Sequence, residues 1–90
     1  MERRGFVLLW VPCSGPARAG FAVSRQIRGA VRRNRARRRL REAYRELGPE
    51  NLRGLITVFV GRPWVLEAPL GELRAEMASA HAAARRDAGG

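Results

Sequence analysis

Arginine dominates one stretch of the sequence, "RGAVRRNRARRRLREAYREL" at residues 28–47. It holds nine arginines, one asparagine and two glutamates, and no lysine. A guanidinium group is always charged, donates paired hydrogen bonds to phosphate and stacks on bases. The stretch is therefore suited to binding a polyanion such as RNA.

The positive charge of the chain is concentrated on the same stretch. The 90 residues carry a formal net charge of +10, and all eighteen basic residues are arginine. A genome of high G+C content explains the absence of lysine, but it does not explain the clustering. Residues 24–47 have a net charge of +8, residues 1–23 of +2, and residues 48–90 of zero. Such clustering is typical of a polyanion-binding surface.

A small α+β fold has to position these arginines. Apolar, β-branched runs predict three strands, the first two plausibly antiparallel, and apolar periodicity predicts two helices. In chain order these elements are residues 5–11, 20–24, 29–47, 54–61 and 70–86, with a loop at 62–69. The order β-β-α-β-α predicts a single-layer sheet with both helices on one face, in one RNA-binding domain over residues 1–90. The pair Gly48–Pro49 is expected to end the first helix.

The arginine-rich helix is predicted to have two faces. At about 100° per residue, an apolar stripe should lie on the sheet: Ala36, Leu40, Ala43, Tyr44 and Leu47. The opposite face is cationic over about three turns, with Asn34, Arg38, Arg41 and Arg45 flanked by Arg35 and Arg37. Glu42 and Glu46 can pair with arginines four residues away.

Arg33 and Asn34 do not fit this division. Arg33 is in line with the apolar stripe, so it either reaches back to water at the sheet edge or projects into a groove beside the sheet. Asn34 is either a helix-interior residue of poor propensity or a side chain that holds a neighbouring loop or an RNA group. We expect Arg33→Ala to weaken an RNA complex more than Arg45→Ala does.

The remaining reactive residues give little support for an active site in the protein. His81 lies in the alanine-rich last helix, where we expect a solvated position. Cys13 is alone, the acidic residues do not form a spaced cluster of metal ligands, and the sequence has no Gly-rich phosphate-binding loop. The apolar run Phe6–Val11 is too short for a signal peptide or a membrane span, so we expect a soluble cytoplasmic protein.

The segment "SRQIRGAVRRNRARRRLRE" (residues 24–42) closely resembles the signature of the bacterial ribonuclease P protein component. The direct matches are Ser24, Ala30, Val31, Arg33, Asn34, Arg35, Arg38, Arg41 and Glu42, and Arg25 and Arg37 replace lysines. "RAGFAVS" and "GLITVFVGRP" are also similar to strands of that family. The resemblance runs from about residue 5 to residue 80 in the same order.

This resemblance implies a protein subunit of an endoribonuclease whose catalyst is an RNA. The subunit would bind the catalytic RNA and the 5′ leader of precursor tRNA, with no protein partner or membrane required. It would have no catalytic residues and no nuclease activity alone, and Mg²⁺ would be held mainly by the RNA subunit and the substrate. The RNA contacts implied are Ser24, Arg25, Arg33, Asn34, Arg35, Arg37, Arg38 and Arg41.

The leader is expected in a cleft between the sheet and a helix. Candidate side chains alternate along the first two strands: Phe6, Leu8, Trp10, Phe21 and Val23. An exposed aromatic could stack on leader bases, and core packing is the other interpretation for most of the five. Which side of each strand faces the cleft stays open at this point.

Two departures from the family pattern bear on these expectations. The family has a glycine where this chain has Arg28, and Gly29 follows one position later. Family members also usually begin with a helix that forms part of the leader cleft, whereas here the first strand comes almost at once. Either the sequence starts too late to include that helix, or the chain is a shortened member with a more open cleft.

Three other functions are compatible with a small basic chain. A ribosomal or other structural RNA-binding protein has the same charge and fold class. A DNA-binding helix usually needs base-discriminating side chains and a dimer or second module, which the sequence does not show. A membrane-surface helix would need the apolar stripe that the sheet requires.

Overall fold

The computed structural model describes residues 1–48 and 52–89 as an α+β fold. In chain order the elements are β1 (Phe6–Pro12), β2 (Arg18–Val23), α1 (Ala30–Arg45), β3 (Leu55–Gly61) and α2 (Leu70–Gly89). The predicted order β-β-α-β-α is confirmed. A short 3-10 helix, Pro63–Leu66, lies within the predicted loop. None of the helices in the described part of the chain has the length and apolar character needed to cross a membrane.

The strand pairing differs from the expectation that β1 and β2 are antiparallel neighbours. The sheet order is β1-β3-β2, with β3 antiparallel to β1 and parallel to β2. A crossover helix such as α1 joins parallel strands, so β3 returns beside β2. The loop between β1 and β2 passes the start of β3, where the backbone N–H of Cys13 donates to the carbonyl of Gly54 at 2.9 Å.

The two faces of the sheet have different surroundings. On the face covered by α1 and α2, Phe6, Leu8 and Phe59 are fully buried. On the other face, Leu9 is 55% exposed and Val11 54% exposed. We call this second side the open face; it consists of residues 7, 9 and 11 of β1 and their cross-strand neighbours on β3 and β2.

The apolar stripe of α1 packs on the covered face as predicted. Ala36, Leu40, Ala43 and Tyr44 are buried, and the Tyr44 ring packs against Phe59 with 5.7 Å between ring centroids. Gly48, which follows the end of the helix, has φ 68°. Pro49, expected to end the helix together with Gly48, lies outside the described residues.

The start of α1 explains the displaced glycine of the family pattern. Gly29 precedes the helix with φ 89°, a conformation that only glycine adopts readily, and no residue other than glycine has a positive φ in the described part of the chain. The positive-φ position therefore lies at residue 29, and Arg28 needs no unusual backbone.

His81 is buried, and the expectation of a solvated position is wrong. It lies on the inner side of α2 with Leu73, Met77, Ala80 and Ala84, and is 1% exposed. The many alanines around it hid the apolar periodicity, because alanine is common on both sides of a helix. Burial lowers the pKa of His81, and the nearby positive charge of Arg85 lowers it further.

Candidate nucleic-acid interface

The outer face of α1 presents a row of free guanidinium groups. Arg35, Arg38, Arg41 and Arg45 are exposed, as is Asn34. Residues 1–48 and 52–89 form two ion pairs, Arg74–Glu46 at 2.6 Å and Arg3–Glu76 at 3.9 Å. Neither involves an arginine of α1, so no ion pair within the described residues neutralises the charge of this row.

Glu46 pairs with a different helix from the one expected. Its Oε2 accepts a hydrogen bond from Arg74 of α2, and the expected pairing with an arginine four residues away has no partner at this position, because residues 42 and 50 are glutamates. Glu42 takes part in neither of the ion pairs formed within the described residues. The carboxylate at position 46 thus joins the two helices and leaves Arg41 and Arg45 available to a ligand.

Asn34 makes a local contact on the outer face. The Nη1 group of Arg37 donates to its Oδ1 at 3.2 Å, one helical turn further along. This bond orients the half-buried Arg37 along the helix. The amide N–H groups of the exposed Asn34 can still donate to a ligand.

Arg33 points back to the segment that leads into the helix. Its Nη1 donates to the carbonyls of Ser24 (3.1 Å) and Ile27 (3.0 Å), and its Nη2 donates to that of Val23 at 3.2 Å. Both interpretations from the sequence assumed that this side chain reached water or a groove. In the structure its guanidinium contacts the protein backbone.

The other residues predicted at the interface lie close to the start of α1. Ser24 follows β2 directly, and its Oγ accepts the backbone N–H of Gln26 at 3.2 Å. Arg25 is exposed on the same segment. Together with the row on α1, these residues form one continuous basic stretch from the end of β2 to the end of the helix.

The structure brings the five leader-cleft candidates to the covered face of the sheet. Phe6 and Leu8 are fully buried and Val23 is 8% exposed, so these three are core residues, in agreement with the core-packing interpretation. Trp10 and Phe21 are half-buried at the margin of the core. The guanidinium carbon of Arg41 lies 5.9 Å from the centroid of the Phe21 ring.

Sequence reasoning missed the aliphatic side chains of the open face. Leu9, Val11 and Ile56 (40% exposed) lie there, and Arg18 is the register partner of Ile56. The alternation along β1 contained this signal, because the residues between the five candidates belong to the other side of the sheet. What the sequence lacked was knowledge of which side the helices cover.

Comparison with known proteins assigns the family. The Ribonuclease P family profile matches residues 1–85. The chain belongs to the Ribonuclease P family. Over 80 residues it is 49% identical to the ribonuclease P protein component of Chloroflexus aurantiacus, a match covering 81% of this chain and 59% of that protein. It is 41% identical over 93 residues to the component of Erythrobacter litoralis, covering 99% and 75%.

Solved structures of this family share the fold. The RNase P protein of Thermotoga maritima matches with a TM-score of 0.71 and 23% identity, over 88% of this chain and 76% of that one. The protein of Staphylococcus aureus matches with a TM-score of 0.66 and 19% identity, over 88% and 73%. These matches confirm the expected fold class. The chain spans 59% of the length of its Chloroflexus relative.

The described residues do not provide a metal site. Within residues 1–48 and 52–89, no three His, Cys, Asp or Glu side chains come together to hold an ion. The chemistry of this surface is that of hydrogen-bond donors and positive charge, which suits phosphate.

Proposed function

We propose that this chain is the protein subunit of ribonuclease P and that it docks on the catalytic RNA through the outer face of α1. The observation that carries the proposal is a row of exposed arginines that form no ion pair within residues 1–48 and 52–89: Arg35, Arg38, Arg41 and Arg45. Charge-assisted bonds from arginine to phosphate are the main source of RNA affinity for such a surface. The membership of the Ribonuclease P family supports this choice of RNA.

The contacts on the RNA divide into two kinds. Arg25, Arg35, Arg38 and Arg41 bind phosphates, because their guanidinium groups are exposed. Ser24, Asn34 and Arg37 contribute shorter, more local contacts, in which the hydrogen bond between Arg37 and Asn34 fixes the geometry. Since these are mostly backbone contacts, they set position and orientation rather than sequence preference.

The open face of the sheet is the proposed place for the 5′ leader of precursor tRNA. It offers exposed aliphatic side chains at Leu9, Val11 and Ile56, with the exposed Arg18 on the same side. Aliphatic side chains can cover the apolar faces of unstacked bases, and a neighbouring positive charge attracts the phosphate backbone. Trp10 and Phe21, the two half-buried members of the five earlier candidates, lie on the opposite, helix-covered side and do not belong to this surface.

Hydrolysis is assigned to the RNA partner. In this proposal the RNA holds the Mg²⁺ ions that activate water, and the protein positions substrate and RNA in the cytoplasm. The protein supplies binding groups. His81, the sole histidine, is buried in the core and does not face the RNA.

A binding competition tests the choice of RNA. We expect the chain to bind ribonuclease P RNA from the same organism in the presence of an excess of ribosomal RNA. Displacement by ribosomal RNA at equal mass would contradict the proposal and favour a ribosomal protein. As a control, the Arg38→Glu variant should lose affinity for ribonuclease P RNA while its circular dichroism stays unchanged.

A further inference from the structure

The arginines of α1 differ in what their donors contact. Arg35, Arg38, Arg41 and Arg45 are exposed, whereas Arg33 and Arg39 are half-buried and donate to main-chain carbonyls of other segments. Charge alone does not distinguish the two groups, because every guanidinium carries one positive charge. The hydrogen-bond partners do.

Arg33 holds the connection between β2 and α1, residues 24–29. This connection is already attached to the sheet at its start, where the backbone N–H of Ser24 donates to the carbonyl of Gly61 at 2.8 Å. It then turns, with the N–H of Ile27 donating to the Ser24 carbonyl at 3.1 Å. Arg33 donates to both ends of that turn through the carbonyls of Ser24 and Ile27.

The geometry leaves Arg33 few donors for a phosphate. Both Nη1 hydrogens and one Nη2 hydrogen are directed at the carbonyls of Val23, Ser24 and Ile27. A phosphate that captured these donors would leave part-buried carbonyls without a partner, which is unfavourable. The side chain of Ile27 is fully buried in the same turn, so the turn has little freedom to rearrange.

Arg39 shows the same use of a guanidinium elsewhere on the helix. Its Nε donates to the carbonyl of Val65 at 2.7 Å and its Nη2 to that of Ala68. Val65 and Ala68 are buried residues of the segment that joins β3 to α2. This clamp is remote in sequence from the β2–α1 connection, and it therefore provides an internal comparison for Arg33.

We propose that Arg33 is a positioning residue that acts on RNA binding through the β2–α1 connection and makes no phosphate contact of its own. It fixes Ser24 and Arg25 in the arrangement that RNA meets at the start of α1. This inference rests on the proposed function for its RNA partner, and it replaces the direct RNA contact that the family resemblance implies for Arg33.

The dependence of affinity on salt separates a positioning residue from a phosphate contact. Each phosphate neutralised adds about 0.7–0.9 to the slope of log affinity against log salt concentration. For binding to ribonuclease P RNA, Arg38→Ala should therefore lower both the affinity and the slope. Arg33→Ala should lower the affinity and leave the slope unchanged. Arg39→Ala should lower the melting temperature. At temperatures where this variant is folded, it should change neither the affinity nor the slope.

The loss of RNA affinity in Arg33→Ala depends on how often the freed connection adopts its binding conformation. If the freed connection adopts its binding conformation about one tenth of the time, the apparent affinity falls about tenfold. Amide hydrogen exchange without RNA should show faster exchange of residues 24–28 in Arg33→Ala. Arg33→Lys should not restore protection, because an ammonium group cannot bridge three carbonyls as the guanidinium does.

A matched control excludes general destabilisation. Met77→Ala removes a fully buried side chain from α2 and should lower the melting temperature without changing exchange of residues 24–28 or RNA affinity below the transition. A loss of slope in Arg33→Ala equal to that in Arg38→Ala would overturn the proposal, and so would unchanged exchange. If the unaltered chain fails to bind the RNA, the proposed function fails, while the exchange result still decides whether Arg33 holds the connection.

Discussion

The two helices share one side of the sheet and differ in charge. Within Ala30–Arg45, α1 has eight arginines and one glutamate, whereas Leu70–Gly89 of α2 has three arginines and three acidic residues. A nucleotide bias in the genome would act on both helices, so it would explain arginine in place of lysine but not this contrast. Charged side chains of α2 pair with neighbours at Arg74 and Glu76. This contrast supports the proposal that α1 forms the RNA interface, whereas α2 mainly stabilises the fold.

Charge reversal is expected to give the largest difference in RNA affinity between the two helices. We expect Arg38→Glu with Arg41→Glu to weaken binding to ribonuclease P RNA by about two to four orders of magnitude, since each charged hydrogen bond contributes about 1.5–3 kcal/mol. The matched pair Arg85→Glu with Arg86→Glu on α2 should weaken it by less than about tenfold, through long-range charge alone. Equal losses in a filter-binding titration would contradict a localised interface.

The sequence predicted α1 better than the parts that depend on tertiary neighbours. The stripe from Ala36 to Tyr44 followed from helical periodicity, and the basic face followed from its complement. The sheet order was missed because strand pairing depends on where α1 returns the chain, and two adjacent strands were assumed to pair. The turn held by Arg33 was missed because its acceptors are main-chain carbonyls, which have no sequence signal.

The side-chain burial on the other elements was also only partly predictable. The covered side of β1 could not be chosen from alternation, so Phe6 and Leu8 remained candidates for a ligand although they are core residues. His81 was misplaced because alanine marks no particular face. Arg39 lies within an arginine run, and its hydrogen-bond acceptors in the β3–α2 segment are far away in the sequence. No local sequence pattern indicates such a contact.

Core truncation should affect both helices alike and thereby separate packing from charge. Leu40 of α1 and Leu73 of α2 are both fully buried, and each replacement by alanine should lower the free energy of unfolding by about 2–5 kcal/mol. Urea unfolding followed by circular dichroism measures both. A loss below about 1 kcal/mol at either position would show that its helix does not share the common core.

Acidification should destabilise the fold through His81 of α2, because burial lowers the pKa of this residue. The folded protein favours the neutral imidazole, and the unfolded chain binds the proton near the ordinary value of 6.5. Stability should therefore be full above pH 6.5, fall as the pH is lowered through that value, and level off below the pKa of the folded state. Chemical unfolding between pH 8 and pH 5 measures this trend.

The control for that trend is His81→Leu. This variant should show no loss of stability over the same pH range, since no imidazole is left to titrate. An identical pH dependence in the variant and the unaltered chain would assign the effect to other groups.

The smallest effect on the free energy of unfolding is expected from removal of the buried Tyr44 hydroxyl on α1. The Tyr44 hydroxyl has no hydrogen-bond partner within the described residues, and its burial raises the pKa of Tyr44. Tyr44→Phe should change the free energy of unfolding by less than about 1 kcal/mol or stabilise the protein, because an unsatisfied buried polar group is removed. The ring contacts with Phe21 and Phe59 are kept. A loss above that size would indicate a hydrogen bond that this arrangement does not explain.

The most direct test of the account is cleavage of precursor tRNA by the ribonuclease P RNA of the same organism at low magnesium concentration, with and without this chain. The account predicts that the chain restores cleavage at the mature 5′ end, and that Arg38→Glu with Arg41→Glu does so only at much higher protein concentration. The chain alone should cleave nothing. Failure of the chain to restore cleavage, at concentrations where it is folded and bound to the RNA, would contradict the central claim.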